Sequence, residues 1–515
     1  MRKLQFGALV VLILLACRAL QPGVLFGEFP ATATMTPAQA VTAAPVLKAT
    51  PTRDAAGPPL SPEIVEEEFQ VVTHPDGALY AGDRVSFEII PGADFELRGQ
   101  QARVRLVSPF VQEIGEVEFG RHGIGQRAQA TLTWAWDTRD LQPGSYELEF
   151  TILPQGKVWR QTLDLLPAGE RPQPEAVWKE AQLDCCVVDY ISGTEAERDL
   201  DRLLEIIEEQ SRLVSEQMGV SLEQPVKVTL VPRVLGHGGF AGEEITISYL
   251  DRLYTASNLE MIFHHELVHI FDSQLGGDLR PTMLVEGLAV YLSGGHFKPE
   301  PILERAAVLL PAEPGCIVCG MGEYVPLAKL VDDFYSSQHE AGYLQAAALV
   351  EFLVESYGWE GFNAFYRDIH PDPEGSQAES MEASLQAHFR LSLAELDEQF
   401  QSRLRQVRLD PKWVEDVKLS VEFYDAVRRY QERFDPSAYF RTAWLPDTAQ
   451  MQAEGITADF IRRPQQAVNI ILENLLTAVG EALKAGQYHQ GLEHLETVQY
   501  LLDHLPGEIN TAQAN

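Results

Sequence analysis

Positive charge is scarce in this sequence. Its 515 residues include 40 basic residues against 75 acidic ones, which leaves a formal net charge of −35. This balance argues against nucleic acid as a partner and against a cationic mode of membrane-surface binding. The hydrophobic content of 45% is that of a globular protein, and the length allows about two or three domains.

Cysteine is also scarce, with five residues in the chain. Apart from Cys17 they form two pairs, Cys185-Cys186 and Cys316-x-x-Cys319. Adjacent cysteines bond to each other only under strain, so disulfides between the two pairs are expected if the chain is exported. A second, structural zinc site with four thiolates is one alternative, and two sets of unpaired buried thiols are another.

The N-terminal apolar run is short. Arg2 and Lys3 precede apolar residues from Leu4 to Ala16, which is too short for a comfortable membrane span and typical of a targeting segment. The run ends in Leu14-Leu15-Ala16-Cys17, which resembles a bacterial lipobox, and residues 1–17 would then be a signal peptide with Cys17 lipidated. An ordinary cleaved signal, or an uncleaved anchor running to Leu25, is the alternative. Each predicts an exported protein of the cell envelope or extracellular space.

Two segments of different composition follow. Residues 18–63 are rich in Ala, Pro and Thr, a composition typical of a disordered tether. Residues 64–168 contain short alternating runs separated by turn signals, which predict an antiparallel β-sandwich. The runs are 84–90, 102–107, 129–136 and 145–152. The stretch from Trp136 to Tyr146 is similar to the late strands of immunoglobulin-like modules, so a spacer or binding module is expected here.

Residues 176–408 have mixed α and β patterns. Thr194 to Met218 has helical spacing, Val226 to Val231 is a strand, and the glycine turn at Gly236 leads to a second alternating strand, Glu244 to Tyr249. We expect this last strand to be the edge of a sheet, where it could pair with an extended peptide. An interior position in the sheet is the alternative.

The motif His265-Glu266-x-x-His269 has the pattern of a zinc-protease signature. Histidine is rare, with 13 residues in 515, so a chance match is improbable. On a helix the two histidines share one face and converge on one metal ion. A capping box at Ser257-x-x-Glu260 and a stop at Gly276-Gly277 bound the predicted helix.

A catalytic zinc needs a third protein ligand and an open position. Pro281 opens the next predicted helix, which carries Glu286 17 residues after His269. The small residues Gly287 and Ala289 would allow this helix to approach the first one closely.

These two motifs, with Glu286-Gly287-Leu288-Ala289 as the second, resemble those of the gluzincin, or peptidase MA-like, zinc metalloproteases. The resemblance covers about residues 180–408 and implies a zincin-like α+β fold with Zn²⁺ as cofactor. It implies His265, His269 and Glu286 as metal ligands and Glu266 as the general base for a zinc-activated water.

The oxyanion of such a reaction needs a further donor. Tyr343, which leads a helix resembling one that follows the zinc helices in this group, is the first candidate, with an ordinary core tyrosine as the alternative; His237, Tyr291 and His296 are the other candidates. Several gluzincins have an aspartate four residues after the glutamate ligand, where this chain has Val290. Asp272 is a substitute candidate for orienting a histidine, with a solvated Asp near the helix end as the alternative.

The rest of the chain is predicted to be helical. Residues 384–400 are expected to form one helix that closes the peptidase domain, and residues 410–505 an all-α accessory domain that ends in an αα-hairpin. The sequence therefore predicts a multidomain, exported zinc metallopeptidase, a hydrolase that acts on peptides or proteins and is attached to the membrane through its N-terminus. A surface-anchored binding or scaffold protein with a weak or inactive protease-like domain is the alternative.

Overall fold

The computed structural model describes residues 68–312 and 320–505. The signal segment with Cys17, the tether at 18–63 and the Cys316-x-x-Cys319 motif lie outside the described residues, and the predictions made for them stay predictions. Within the described ranges, none of the helices has both the length and the hydrophobicity needed to cross a membrane.

The first described region is a β-sandwich. Its two sheets have the strand orders β1-β3-β7-β6 and β2-β9-β8-β4-β5. The strands are β1 (Phe69–His74), β2 (Leu79–Tyr80), β3 (Arg84–Pro91), β4 (Gln101–Ser108), β5 (Gln112–Glu118), β6 (Gly120–His122), β7 (Arg127–Asp137), β8 (Gly144–Leu153) and β9 (Lys157–Leu166). Alternate side chains of both sheets meet in one core, for example Phe87, Val104 and Phe150. All four alternating runs are strands.

A mixed five-stranded sheet begins the second region. Its order is β10-β11-β12-β14-β13. The elements in chain order are β10 (Trp178–Gln182), β11 (Cys186–Ile191), α1 (Glu195–Arg198), α2 (Leu200–Met218), β12 (Val226–Val231), β13 (Gly239–Ala241) and β14 (Ile245–Ser248). The predicted edge strand is wrong, because β14 lies between β12 and β13. All four β14 residues are buried, as expected for an interior strand, and the edge strand beside it is β13.

Helices complete this region. They are α3 (Leu259–Leu275), α4 (Thr282–Ser293), α5 (Ile302–Ala306), α6 (Leu327–Asp332), α7 (His339–Arg367), α8 (Gln377–Phe389) and α9 (Leu393–Arg405). A single hydrophobic core joins the sheet to α3, α4 and α7. Gly287 on α4 faces α7, since a β-carbon there would lie 2.6 Å from the Ala346 carbonyl oxygen. The prediction that Gly287 brings α4 close to α3 is therefore wrong.

Two predicted helix boundaries are also wrong. Asn258, not Ser257, caps α3, and its side chain accepts a hydrogen bond from the Met261 amide over 3.1 Å. Residues 384–400 do not form one helix, because Arg390 takes a left-handed conformation (φ 59°) between α8 and α9. Ser392 then begins α9 with a capping box.

The C-terminal region is helical, as predicted. It contains α10 (Pro411–Phe434), α11 (Thr448–Glu454), α12 (Ala458–Ile461), α13 (Ala467–Lys484) and α14 (Tyr488–His504). The last two form the predicted hairpin and share a core with α10.

The segment around α12 attaches the sandwich to the rest of the described chain. Arg462 forms a bidentate ion pair with Asp83 at 2.6 and 2.8 Å. Trp134 donates its indole N–H to Asp459 over 2.8 Å. Such buried, charge-assisted contacts fix an orientation more than they add stability.

Candidate metal centre

Helix α3 places His265 and His269 side by side. Their spacing of four residues puts both on one helix face, and their Nε2 atoms lie 3.0 Å apart. The preceding His264 points elsewhere, because its two ring nitrogens contact Gln210 and Gln217 on α2 at 2.9 and 2.8 Å. The predicted pair of ligands therefore converges, and His264 does not join it.

Helix α4 brings Glu286 to the same point. Its Oε2 atom lies 3.2 Å from His265 Nε2 and 3.4 Å from His269 Nε2. Within the described residues, this triad is the one group of three metal-type side chains whose ligand atoms all lie within 4.8 Å of one another. The structure thus brings together all three predicted ligands.

The geometry of the triad fits a zinc ion. For ligand bonds of about 2.0–2.1 Å, the ligand atoms of a tetrahedral site are about 3.3 Å apart. The three distances of 3.0, 3.2 and 3.4 Å are close to this edge length. The side chains of the triad are 10–15% exposed, so the group is not fully closed to solvent.

Burial and the mutual contacts of the triad shift the pKa values of its three side chains. Burial alone would lower the pKa of His269, but the facing carboxylate of Glu286 outweighs it and raises the pKa to about 9. The same contacts hold the pKa of Glu286 well below its usual range in spite of burial. Burial lowers the pKa of His265 to about 4, so this imidazole keeps a free lone pair suited to a metal.

Glu266 is buried between the triad and the sheet edge. Burial raises the pKa of its carboxyl group to about 8. A β-carbon on Gly239 would lie 3.0 Å from Glu266 Oε1 and 2.8 Å from the Ile262 side chain. Glycine at this position therefore allows β13 to run directly past Glu266.

Tyr335 is a site residue that the sequence did not reveal. Its hydroxyl group donates a hydrogen bond to Glu286 Oε1 over 2.8 Å, on the oxygen that faces away from the histidines. Tyr335 lies in a short 3₁₀ turn, Phe334–Ser336, 49 residues after Glu286. Nothing in the local sequence marks it.

Tyr343 lies beside the triad, and its ring is centred 6.5 Å from the ring of His265. Burial raises the pKa of its hydroxyl group, and Glu286 and Glu266 act on it in the same direction. His296 stacks on Tyr343 at 4.6 Å and is held by Glu340 through Nδ1 at 2.8 Å. These contacts hold the Tyr343 ring beside the triad.

The two remaining oxyanion candidates, His237 and Tyr291, differ in position. His237 stacks on His339, with ring centroids 3.8 Å apart, and its backbone carbonyl accepts a hydrogen bond from Ser257. Tyr291 is half-buried, and Glu351 and Glu355 are the charges that act on it. Tyr291 is thus not brought to the triad.

Asp272 does not orient a histidine. Its buried carboxylate accepts hydrogen bonds from Arg280 at 2.9 Å, Tyr366 at 2.9 Å and Arg367 at 2.5 Å. His269 Nδ1 is buried and has no hydrogen-bond partner in the described part of the chain. Both sequence-based interpretations of Asp272 are therefore wrong, because its carboxylate is neither solvated nor hydrogen-bonded to His265 or His269. Instead it ties the end of α3 to the end of α7.

The adjacent cysteines lie away from the triad, at the start of β11. Among the described residues, neither Cys185 nor Cys186 forms a disulfide, and their sulfur atoms are 2.6 Å apart. The other two cysteines lie outside the described residues.

No family model matches this chain, and no curated protein matches it. Among solved structures, an aminopeptidase N family protein from Idiomarina loihiensis is similar over 74% of this chain and 78% of its own. The identity is 11% and the TM-score is 0.21.

Proposed function

We propose that this protein is a zinc-dependent metallopeptidase. The observation that carries the proposal is the triad of His265, His269 and Glu286, whose ligand atoms are spaced 3.0–3.4 Å apart, as on one face of a zinc tetrahedron. Zn²⁺ at this point would supply a Lewis acid for a peptide carbonyl and lower the pKa of a water molecule.

The chain's own residues supply the other functions. Glu266 is one residue from a ligand and buried against the sheet edge, so it can take a proton from the attacking water and pass it to the leaving amine. The Tyr343 hydroxyl group is the proposed donor to the developing oxyanion. β13 is the last strand of its sheet in the described structure, and its unpaired backbone groups can hold an extended peptide beside Glu266.

Zinc content tests the ligand assignment, and hydrolysis of an unstructured protein tests the peptidase activity. The purified chain should hold one zinc ion per molecule, and His265→Asn, His269→Asn and Glu286→Gln should each lower that content. His264→Asn is the matched control, since His264 neighbours a ligand but contacts Gln210 and Gln217. Zinc content that is unchanged in all four variants would overturn the ligand assignment.

A binding or scaffold role without turnover is the second candidate. One observation favours it: within the described residues, His269 Nδ1 lacks the hydrogen-bond partner that normally orients a zinc-bound imidazole. Stoichiometric zinc without cleavage of any peptide or protein would support this role instead.

Export and a lipid anchor at Cys17 belong to the same proposal. They rest on the N-terminal sequence alone. Labelling with a radioactive fatty acid, compared between the wild type and Cys17→Ala, tests the anchor.

A further inference from the structure

Arg428 on α10 has no counterion among the described residues. In a chain with 75 acidic residues, its half-buried guanidinium forms no ion pair within the ranges 68–312 and 320–505, and its Nε atom is buried without a hydrogen-bond partner there. Asp425, one helical turn earlier, is the acid that acts on it most, but it lies beyond ion-pair distance and accepts a hydrogen bond from Gln338.

Other unsatisfied nitrogen atoms surround Arg428. In the part of the chain that the structure describes, the stacked rings of His237 and His339 leave all four of their nitrogens buried without a partner, and Arg441 Nε has none either. The ring of Phe440 joins the group, with the Arg428 guanidinium 4.9 Å away, His237 4.5 Å away and His339 5.1 Å away. We call these five residues, Arg428, Arg441, His237, His339 and Phe440, the Arg428 cluster.

The Arg428 cluster borders the metal centre. The ring of Phe440 is 6.0 Å from that of Tyr335, whose hydroxyl group binds Glu286. The ring of His339 is 4.6 Å from that of Tyr343, which lies beside the triad. Since an extended peptide advances about 3.3 Å per residue, the cluster is within reach of a substrate that lies across the triad.

Buried donors without acceptors are rare in folded proteins, and each calls for an explanation such as a missing ion or ligand. Burial lowers the pKa values of His237 and His339, so each neutral ring offers one N–H donor. Arg428 adds the charge and the planar fork that match a carboxylate.

We propose that the Arg428 cluster binds a carboxylate group of the substrate beside the metal centre. This inference rests on the proposed peptidase function. The carboxylate is either the C-terminal group of a peptide, which would make the protein act near chain ends, or the side chain of an Asp or Glu residue.

Four peptides of otherwise identical sequence separate these sources. One has a free C-terminus and one an amidated C-terminus; the other two are amidated and carry an internal Glu or Gln. Binding is measured with the full-length Glu266→Gln chain loaded with Zn²⁺, and cleavage with the wild type. The wild-type comparison needs no variant at position 428, so it stands even if that variant folds poorly.

The expected result is a loss of discrimination in Arg428→Gln. In one of the two pairs, free against amidated C-terminus or internal Glu against Gln, its affinity for the peptide with the carboxylate should fall about ten- to hundredfold. This loss corresponds to one charge-assisted hydrogen bond, and the affinity for the neutral peptide of that pair should be unchanged. Arg429→Gln is the matched control, because Arg429 is the next residue and pairs with Asp503 at 2.5 Å. It should bind all four peptides as before.

Two outcomes would count against different claims. Equal binding of the charged and neutral members of both pairs, or an equal loss for all four peptides in Arg428→Gln, would overturn the carboxylate site. Carboxylate-selective binding with no cleavage by the wild type would support the site and refute the peptidase function.

Discussion

The hydroxyl group of Tyr335 donates a hydrogen bond to Glu286 Oε1 over 2.8 Å. The other oxygen of this carboxylate faces His265 and His269. Tyr335 thereby fixes the orientation of Glu286, the proposed third ligand. Contacts of this kind behind a ligand hold it in place for metal binding.

Tyr335→Phe should weaken zinc binding. Loss of the contact to Glu286 is expected to lower zinc affinity about ten- to hundredfold, measured by competition with a chelator of known affinity. Tyr249→Phe is the matched control, since Tyr249 donates to Asp199 over 2.8 Å at a distance from the metal centre. Equal zinc affinity in the wild type and Tyr335→Phe would show that Glu286 needs no such support.

Gly239→Ala should lower kcat/KM. The added methyl group would come 3.0 Å from Glu266 Oε1, so it must displace the proposed base or push β13 away from the cleft. A shift of about 1 Å at such a site can cost about a hundredfold in rate. Gly242→Ala serves as the control, because nothing lies within 4 Å of its β-carbon position; a similar loss in both variants would contradict the assigned role of Gly239.

Asp272→Asn should destabilise the fold and leave the zinc content of the folded protein unchanged. The substitution removes the charge that pairs with Arg280 and Arg367. Breaking a buried pair of this kind costs about 3–5 kcal/mol, which urea denaturation can measure. A variant of wild-type stability that has lost its zinc would instead give Asp272 a role in metal binding.

Asp459 should make stability depend on pH. Burial raises the pKa of its carboxyl group to about 6 in the folded protein, above the value of about 3.9 expected when unfolded. Because the folded state binds this proton more tightly, the contribution to stability is present below about pH 4 and is lost as the pH rises through 6.

Asp459→Asn removes this ionisation and still offers Trp134 an acceptor. The variant should therefore gain stability relative to the wild type between about pH 4 and pH 7, by up to about 3 kcal/mol. Denaturant titrations at several pH values measure the difference. A difference that stays constant over this range would contradict the assignment.

Local sequence patterns predicted much of the fold. Period-two alternation identified β3, β4, β7 and β8, because alternate apolar side chains of each strand pack in the core of the sandwich. The motif spacing identified His265 and His269, because four residues make about one helical turn. Glu286 followed from the resemblance to gluzincins.

Features set by tertiary packing were missed. Alternation in β14 could not distinguish an edge from an interior position, since strand order depends on pairing and not on side-chain period. Asp272 was misassigned because Tyr366 and Arg367, its partners, lie 94 and 95 residues away. Tyr335 and Arg428 gave no local signal. The role of Tyr335 depends on Glu286, which lies 49 residues away, and that of Arg428 depends on the lack of a counterion among the described residues.

The central claim is that Glu266 is the general base of a zinc-dependent peptidase. It is tested by comparing the wild type with Glu266→Gln, with cleavage of an unstructured protein and zinc content measured in the same samples. We expect that the wild type cleaves, that Glu266→Gln binds as much zinc as the wild type without cleaving, and that Glu260→Gln, at an exposed position on the same helix, cleaves like the wild type. Cleavage by Glu266→Gln at the wild-type rate, or a zinc-loaded wild type that cleaves nothing, would contradict it.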